Sequence, residues 1–152
     1  RDYRAAYWEE HASAERKRAM DASWARLGAD SLNRLTPSEA GKLEYITNAP
    51  RYFYDPTYDP TWLLDGAYWN SEAWARMTLA ADYDLGEGAP LRVPVFLALG
   101  REDYGVPFTL WEREREKIPD LSYHLFDRSG HYPMLEESEL FNRLLAEWIE
   151  GI

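Results

Sequence analysis

The chain is 152 residues long, 45% apolar and 15% aromatic, with a net charge of −10, which suits one domain or part of one. The acidic balance argues against a nucleic-acid partner, which calls for clustered Lys and Arg. The absence of cysteine excludes disulfides, thiolate nucleophiles and Cys-ligated zinc, and no stretch approaches the roughly 20 apolar residues of a membrane span.

In chain order, residues 4–27 read as one long amphipathic helix. Trp8, Ala12, Met20, Trp24 and Leu27 recur at helical spacing, and Gly28 is the expected stop. A second helix is predicted from Thr36 as N-cap, with Pro37 at its first position and Glu39 at its third, to about Asn48. Residues 50–69 are rich in aromatics and turn formers and read as irregular. A third helix fits residues 71–82, capped by Asn70 or Ser71, and Gly86, Gly88 and Pro90 mark a linker.

From residue 91 the pattern changes. The apolar run from Val93 to Leu99, ending at Gly100, reads as a strand buried on both faces, as in a parallel sheet. Pro107 is expected to open a helix to about Lys117, and residues 121–126 to form the next strand. The last helix is predicted over 136–150, with Leu140, Phe141, Leu144, Leu145, Trp148 and Ile149 as its apolar stripe and Gly151 ending it. Glu136, Glu137 and Glu139 then fall in its first turn, where the helix dipole favours acids. The expectation is therefore an α/β chain: a helical layer over 1–89, then strand, helix, strand, helix over 90–152. Two parallel strands alone leave faces and edges uncovered, so further strands are expected from another chain or from a segment preceding Arg1. The chain does not open on Met or on a signal peptide, which is expected of a fragment or a processed chain; the lack of cysteine fits the cytoplasm.

Functional loops of open parallel sheets lie at the carboxyl ends of the strands. Here those loops are Gly100-Arg-Glu-Asp103-Tyr-Gly-Val-Pro107 and Asp127-Arg-Ser-Gly130-His131-Tyr-Pro133. One offers a carboxylate and the other an imidazole. A carboxylate on Nδ1 of His131 would fix its tautomer and stabilise the imidazolium formed when the other nitrogen takes a proton. Glu102 competes with Asp103 for the acid's place. Asp127 reads as a structural residue closing the strand, His124 as a packed or surface residue, and His11 as solvated.

The strand-Gly-x-x-Asp-x-x-x-Pro pattern, followed by Ser129-Gly-His-Tyr-Pro-Met-Leu-Glu136 and a final amphipathic helix, resembles the C-terminal part of the α/β-hydrolase superfamily. The Ser-Gly-His run and the aromatic helical segment resemble its proline iminopeptidase-like members. The resemblance implies a helical cap over 1–89, a sheet portion over 90–152, and Asp103 and His131 as acid and general base of a Ser-His-Asp triad. The serine lies on an earlier Gly-x-Ser-x-Gly elbow in that family; this chain has no such motif. The implied protein is an ester or amide hydrolase, with an N-terminal prolyl peptide bond as one candidate, without metal or cofactor, whose N-terminal half supplies the nucleophile. Small molecules or short peptides are the expected substrates, with no membrane partner. Tyr104, Trp62, Tyr68 and Trp69 are candidates to line the substrate pocket, and packing of the cap is the alternative for the cluster over 52–69. Epoxide hydrolases and haloalkane dehalogenases carry the same acid-histidine end with an Asp nucleophile, and a non-catalytic ligand-binding protein of this fold is the alternative of another class.

Overall fold

The computed structural model describes residues 3–27, 34–79 and 91–152. They fall into two units, one of residues 3–12, 51–54 and 91–152, the other of residues 13–27, 34–50 and 55–79. The units thus do not meet at a single point in the sequence: residues 3–12 and 51–54 belong with the strands. The linker residues Gly86, Gly88 and Pro90 and the stop at Gly28 lie outside the described residues.

The strand-bearing unit is built on β1 (Val95–Gly100) and β2 (Leu121–Phe126), paired in parallel with Val95 opposite Leu121 and Gly100 opposite Phe126. Pairing continues one residue past β1, where Arg101 N–H donates to Phe126 O at 2.9 Å. This small parallel sheet is the α/β arrangement expected from the apolar runs. Its burial differs from expectation: only Gly100 and Phe126, at the strand ends, are buried, and the other strand residues are half-buried. The final helix explains one face. Phe96 and Phe126 on that face meet Phe141, at ring separations of 5.9 and 6.0 Å, and Phe96 also meets Trp148 at 5.5 Å.

The helices at this end depart from the sequence reading in two places. The final helix is two: α6 (Pro133–Glu136) and α7 (Ser138–Gly151), so Glu136 closes the first and Glu137 stands before the second without a side-chain cap bond. The segment after Pro107 is not one helix. Pro107 itself is extended, at φ −54° and ψ 133°, and a 3₁₀ turn, the single-turn α5 (Trp111–Glu114) and a second 3₁₀ turn follow. The unit is completed by α1 (Tyr3–His11), whose buried Trp8 meets Tyr104 edge-on at 5.5 Å and lies under the Arg51 guanidinium at 5.0 Å.

The second unit is helical. The expected helix over 4–27 is broken, because Ser13 turns its side chain back onto Arg16 N–H and starts a new helix, α2 (Ala14–Arg26). This is the competition with helix backbone that makes Ser a capping residue. Arg16 is buried and satisfied by Pro50 O at 2.7 Å. The helix α3 (Pro37–Thr47) begins as expected with a capping box, Thr36 N–H donating to Glu39 at 2.8 Å and Glu39 N–H to Thr36 at 3.3 Å. The Thr36 hydroxyl, which donates to the Glu39 carboxylate at 2.7 Å, and the Thr36 N–H hold the Glu39 carboxyl below the usual carboxylate range. The irregular stretch is ordered by Asp55 and Asp59, which accept from the N–H groups of Thr57 and Thr61 two residues on. The helix α4 (Ser71–Leu79) is capped by Asn70, which accepts from Ala73 N–H; residues 80–82 of the predicted helix lie outside the described residues. No helix among the described residues is long and apolar enough to cross a membrane.

Candidate active site

The loops after β1 and β2 lie against each other because two glycines leave room. A Cβ on Gly100 would overlap the carbonyl oxygens of Ser129 and Gly130, and one on Gly130 would overlap the backbone of Tyr52 and Phe53. Neither glycine has a positive φ, so the requirement is close approach rather than backbone conformation. Three backbone bonds fasten the layers: Glu102 N–H to Ser129 O at 3.0 Å, Tyr104 N–H to Arg51 O at 2.9 Å, and His131 N–H to Tyr52 O at 2.6 Å.

This packing brings Asp103 and His131 together. His131 Nδ1 lies 2.6 Å from Asp103 Oδ2. The other carboxylate oxygen accepts from Gly105 and Val106 N–H, each at 2.8 Å. Asp103 is buried, whereas the His131 side chain is 40% exposed. A carboxylate that already accepts two amide protons is held in one orientation, and it places the imidazole proton on Nδ1. Nε2 is then the basic nitrogen. The hydrogen bond that His131 donates to Asp103 raises its pKa above the ordinary value of 6.5; burial works the other way and the charge of Asp103 adds to the rise. The arrangement can take a proton at Nε2 and stabilise the resulting cation.

Glu102, the competing acid, accepts instead from the Tyr104 hydroxyl at 2.9 Å. Tyr104 is buried, with its ring against Trp8 and Tyr7, so what places it is packing onto α1. Trp62, Tyr68 and Trp69 belong to the helical unit. Trp62 and Tyr68 are exposed there, and Trp69 packs on Tyr45 and Trp74 and covers Gly41. Asp127 pairs with Arg101 at 2.7 Å, and His124 accepts or donates to Ser122 at 2.8 Å with its ring on Phe96. His11 is half exposed, with its ring tilted against Tyr7 at 4.4 Å. Among the described residues no group of three or more acids and histidines is placed to hold a metal ion.

The sequence reading missed two features of the site. Residues 51–54 run beside the histidine loop, and Tyr52 contributes through its carbonyl oxygen, a role that leaves no mark on residue type. Glu136 and Glu137 do not serve the dipole of α7. Glu136 accepts from Gly130 and Tyr54 N–H, each at 2.7 Å, and Glu137 from Arg128 N–H and the Ser129 hydroxyl, each at 2.8 Å. The signal was the fixed distance of Glu136 from His131 in the motif itself.

The chain is 31% identical over 149 residues to AB hydrolase superfamily protein YclE of Bacillus subtilis (strain 168), covering 95% of this chain and 52% of that protein. It is 34% identical over 62 residues, 41% of this chain and 22% of the relative, to 2-hydroxy-6-oxononadienedioate/2-hydroxy-6-oxononatrienedioate hydrolase 2 of Pseudomonas putida. The 2-hydroxy-6-oxononadienedioate/2-hydroxy-6-oxononatrienedioate hydrolase of Burkholderia vietnamiensis is 32% identical over 59 residues, 39% of this chain and 20% of that protein. The chain therefore spans about half the length of YclE. These relatives support an α/β-hydrolase fold and hydrolase chemistry in general terms; none of the three is named as a prolyl peptidase. No family model matches the chain, and no solved structure matches it.

Proposed function

We propose that this chain is the lid and the acid-histidine end of an α/β-hydrolase, with the nucleophile in the part of the protein that YclE has and this chain does not span. The observation that carries the reading is the 2.6 Å bond from His131 Nδ1 to a buried Asp103 carboxylate. A serine hydroxyl from the N-terminal half attacks the substrate carbonyl. His131 Nε2 takes its proton and returns it to the leaving group, and Asp103 keeps the imidazole oriented through both transfers. Backbone amides of that half stabilise the oxyanion, so the reaction draws on no metal or cofactor. The helical unit acts as the cap that selects substrate, with Trp62, Tyr68 and Trp69 as its aromatic candidates. The half-buried apolar strands support the same partner, since parallel strands are ordinarily covered on both faces.

The scissile bond is an ester or amide on the proline iminopeptidase-like resemblance. The names of the Pseudomonas and Burkholderia relatives favour a second reading, an oxo-dicarboxylate substrate. The complete protein tests both: turnover of p-nitrophenyl esters, proline anilides and 2-hydroxy-6-oxo-dienedioates is measured alongside labelling by a fluorophosphonate. Labelling with turnover of one class is expected. Turnover without labelling would replace the serine by an Asp nucleophile, and activity unchanged in His131→Ala would overturn the catalytic reading altogether.

A further inference from the structure

The loop that presents His131 is held by acids that the proton relay does not use. Glu136 spans two pieces of backbone: Oε2 accepts from Gly130 N–H, next to His131, and Oε1 from Tyr54 N–H, each at 2.7 Å. Tyr54 lies two residues beyond Tyr52, whose carbonyl accepts the His131 N–H. The three bonds close a ring through Gly130, His131, Tyr52, Tyr54 and Glu136, with the imidazole on its rim. Bonds from amides to a carboxylate are shorter and stronger than neutral ones. Phe53, between Tyr52 and Tyr54, is fully buried and its ring stacks on Tyr132 at 5.2 Å, so this stretch of the clamp is packed in place.

We propose that Glu136 is a positioning residue for His131: by bridging Gly130 and Tyr54 it fixes the main chain on both sides of the imidazole and so sets the His131–Asp103 bond. This rests on the reading of Asp103 and His131 as the acid-base pair. Glu137 is the internal comparison. Its carboxylate holds Arg128 and the buried Ser129, one step further from His131, rather than Gly130 or Tyr54. In Glu136→Gln the amide oxygen still accepts one N–H, but its NH₂ group faces the other donor, so the bridge opens while the volume stays.

The experiment is histidine side-chain NMR on the full protein in the wild type, Glu136→Gln, Glu136→Ala, Glu137→Gln and Asp103→Asn, with kinetics beside it. The wild type is expected to show a downfield Nδ1–H resonance and a His131 titration midpoint above the ordinary one. Both Glu136 variants should lose or broaden that resonance and move the midpoint toward that of Asp103→Asn. Glu137→Gln should lower the melting temperature and leave the midpoint in place. In turnover, kcat of Glu136→Gln should fall by about ten- to a hundredfold with KM unchanged, the cost of a misplaced catalytic group. Should Glu136→Ala fail to fold, Glu136→Gln carries the test. An unchanged resonance and midpoint in Glu136→Gln, or an equal disturbance in Glu137→Gln, would overturn the proposal. A wild-type protein with the shifted midpoint but no turnover would instead overturn the hydrolase reading and leave the clamp standing.

Discussion

The Asp103 carboxylate has both oxygens committed, one to His131 and one to two amides of its own loop. Replacing it by Asn keeps the shape and reverses the demand on the imidazole, which must then offer an unprotonated Nδ1. Asp103→Asn in the complete protein should lower kcat/KM by about 10³–10⁴-fold, as loss of the orienting acid does in other triads, with binding little changed. The pH dependence has a definite sign. General-base catalysis needs neutral His131, so kcat/KM should fall on the acid side with a midpoint above 6.5, and Asp103→Asn should bring that midpoint down. Stability runs the other way. A histidine whose folded pKa is raised contributes stability fully below about 6.5, and this is lost as pH rises through the folded pKa. Denaturant melts across this range should therefore show the wild type losing an increment that His131→Ala does not have. At this scale the sequence was informative: two strand-end loops with an acid and a histidine were enough to place the pair. The choice between Asp103 and Glu102 was open there, since it depends on which side chain the turn points inward.

At the level of elements, legibility followed the strength of local signals. Thr36, Pro37 and Glu39 form a start signal that needs no tertiary help, and α3 begins there. The apolar run ending at Gly100 marked β1, which starts at Val95 rather than Val93, and residues 121–126 form β2 as expected. Breaks were harder. Helical spacing passes through Ala12 and Ser13 without interruption, and only the Ser13 side chain, bonded to Arg16 N–H at 3.1 Å, ends one helix and starts another. Ser13→Ala should cost about 1 kcal/mol, the usual loss on removing an N-cap, read as a lower melting temperature. Glu137, likewise, looks like a first-turn acid until the turn at α6 directs it to the histidine loop. The sheet offers a firmer test. Phe126 is 1% exposed at the end of β2 and meets Phe141 of α7. Phe126→Ala should destabilise by about 3–5 kcal/mol through lost burial and the cavity left behind, measured by denaturant unfolding of the complete protein.

For the whole molecule, composition and the strand-helix-strand-helix order predicted the class, and the division into units was the part they could not supply. A boundary in sequence is sought as a change of composition, but residues 51–54 join the strands through backbone bonds to Tyr104 and His131, which leave no compositional trace. Half-buried apolar strands and a match to about half of YclE lead to one expectation for assembly. The chain by itself should bind a hydrophobic dye and aggregate, and co-production with the N-terminal half should yield a soluble complex with a single cooperative melt. A monomeric, cooperatively melting chain alone would contradict it.

The return of residues 51–54 to the strand-bearing unit also limits how such a protein can be diversified. Residues 55–79 can be exchanged for another helical insert at the level of connectivity, because they leave and re-enter outside that stretch. An exchange that crosses residues 51–54 also removes the carbonyl that receives the His131 N–H and the amide that meets Glu136. Under the proposed function, grafting a new lid is therefore a question of where the seams fall: seams after Tyr54 keep the carbonyl and amide that hold the His131 loop, and a seam between Pro50 and Tyr54 removes them.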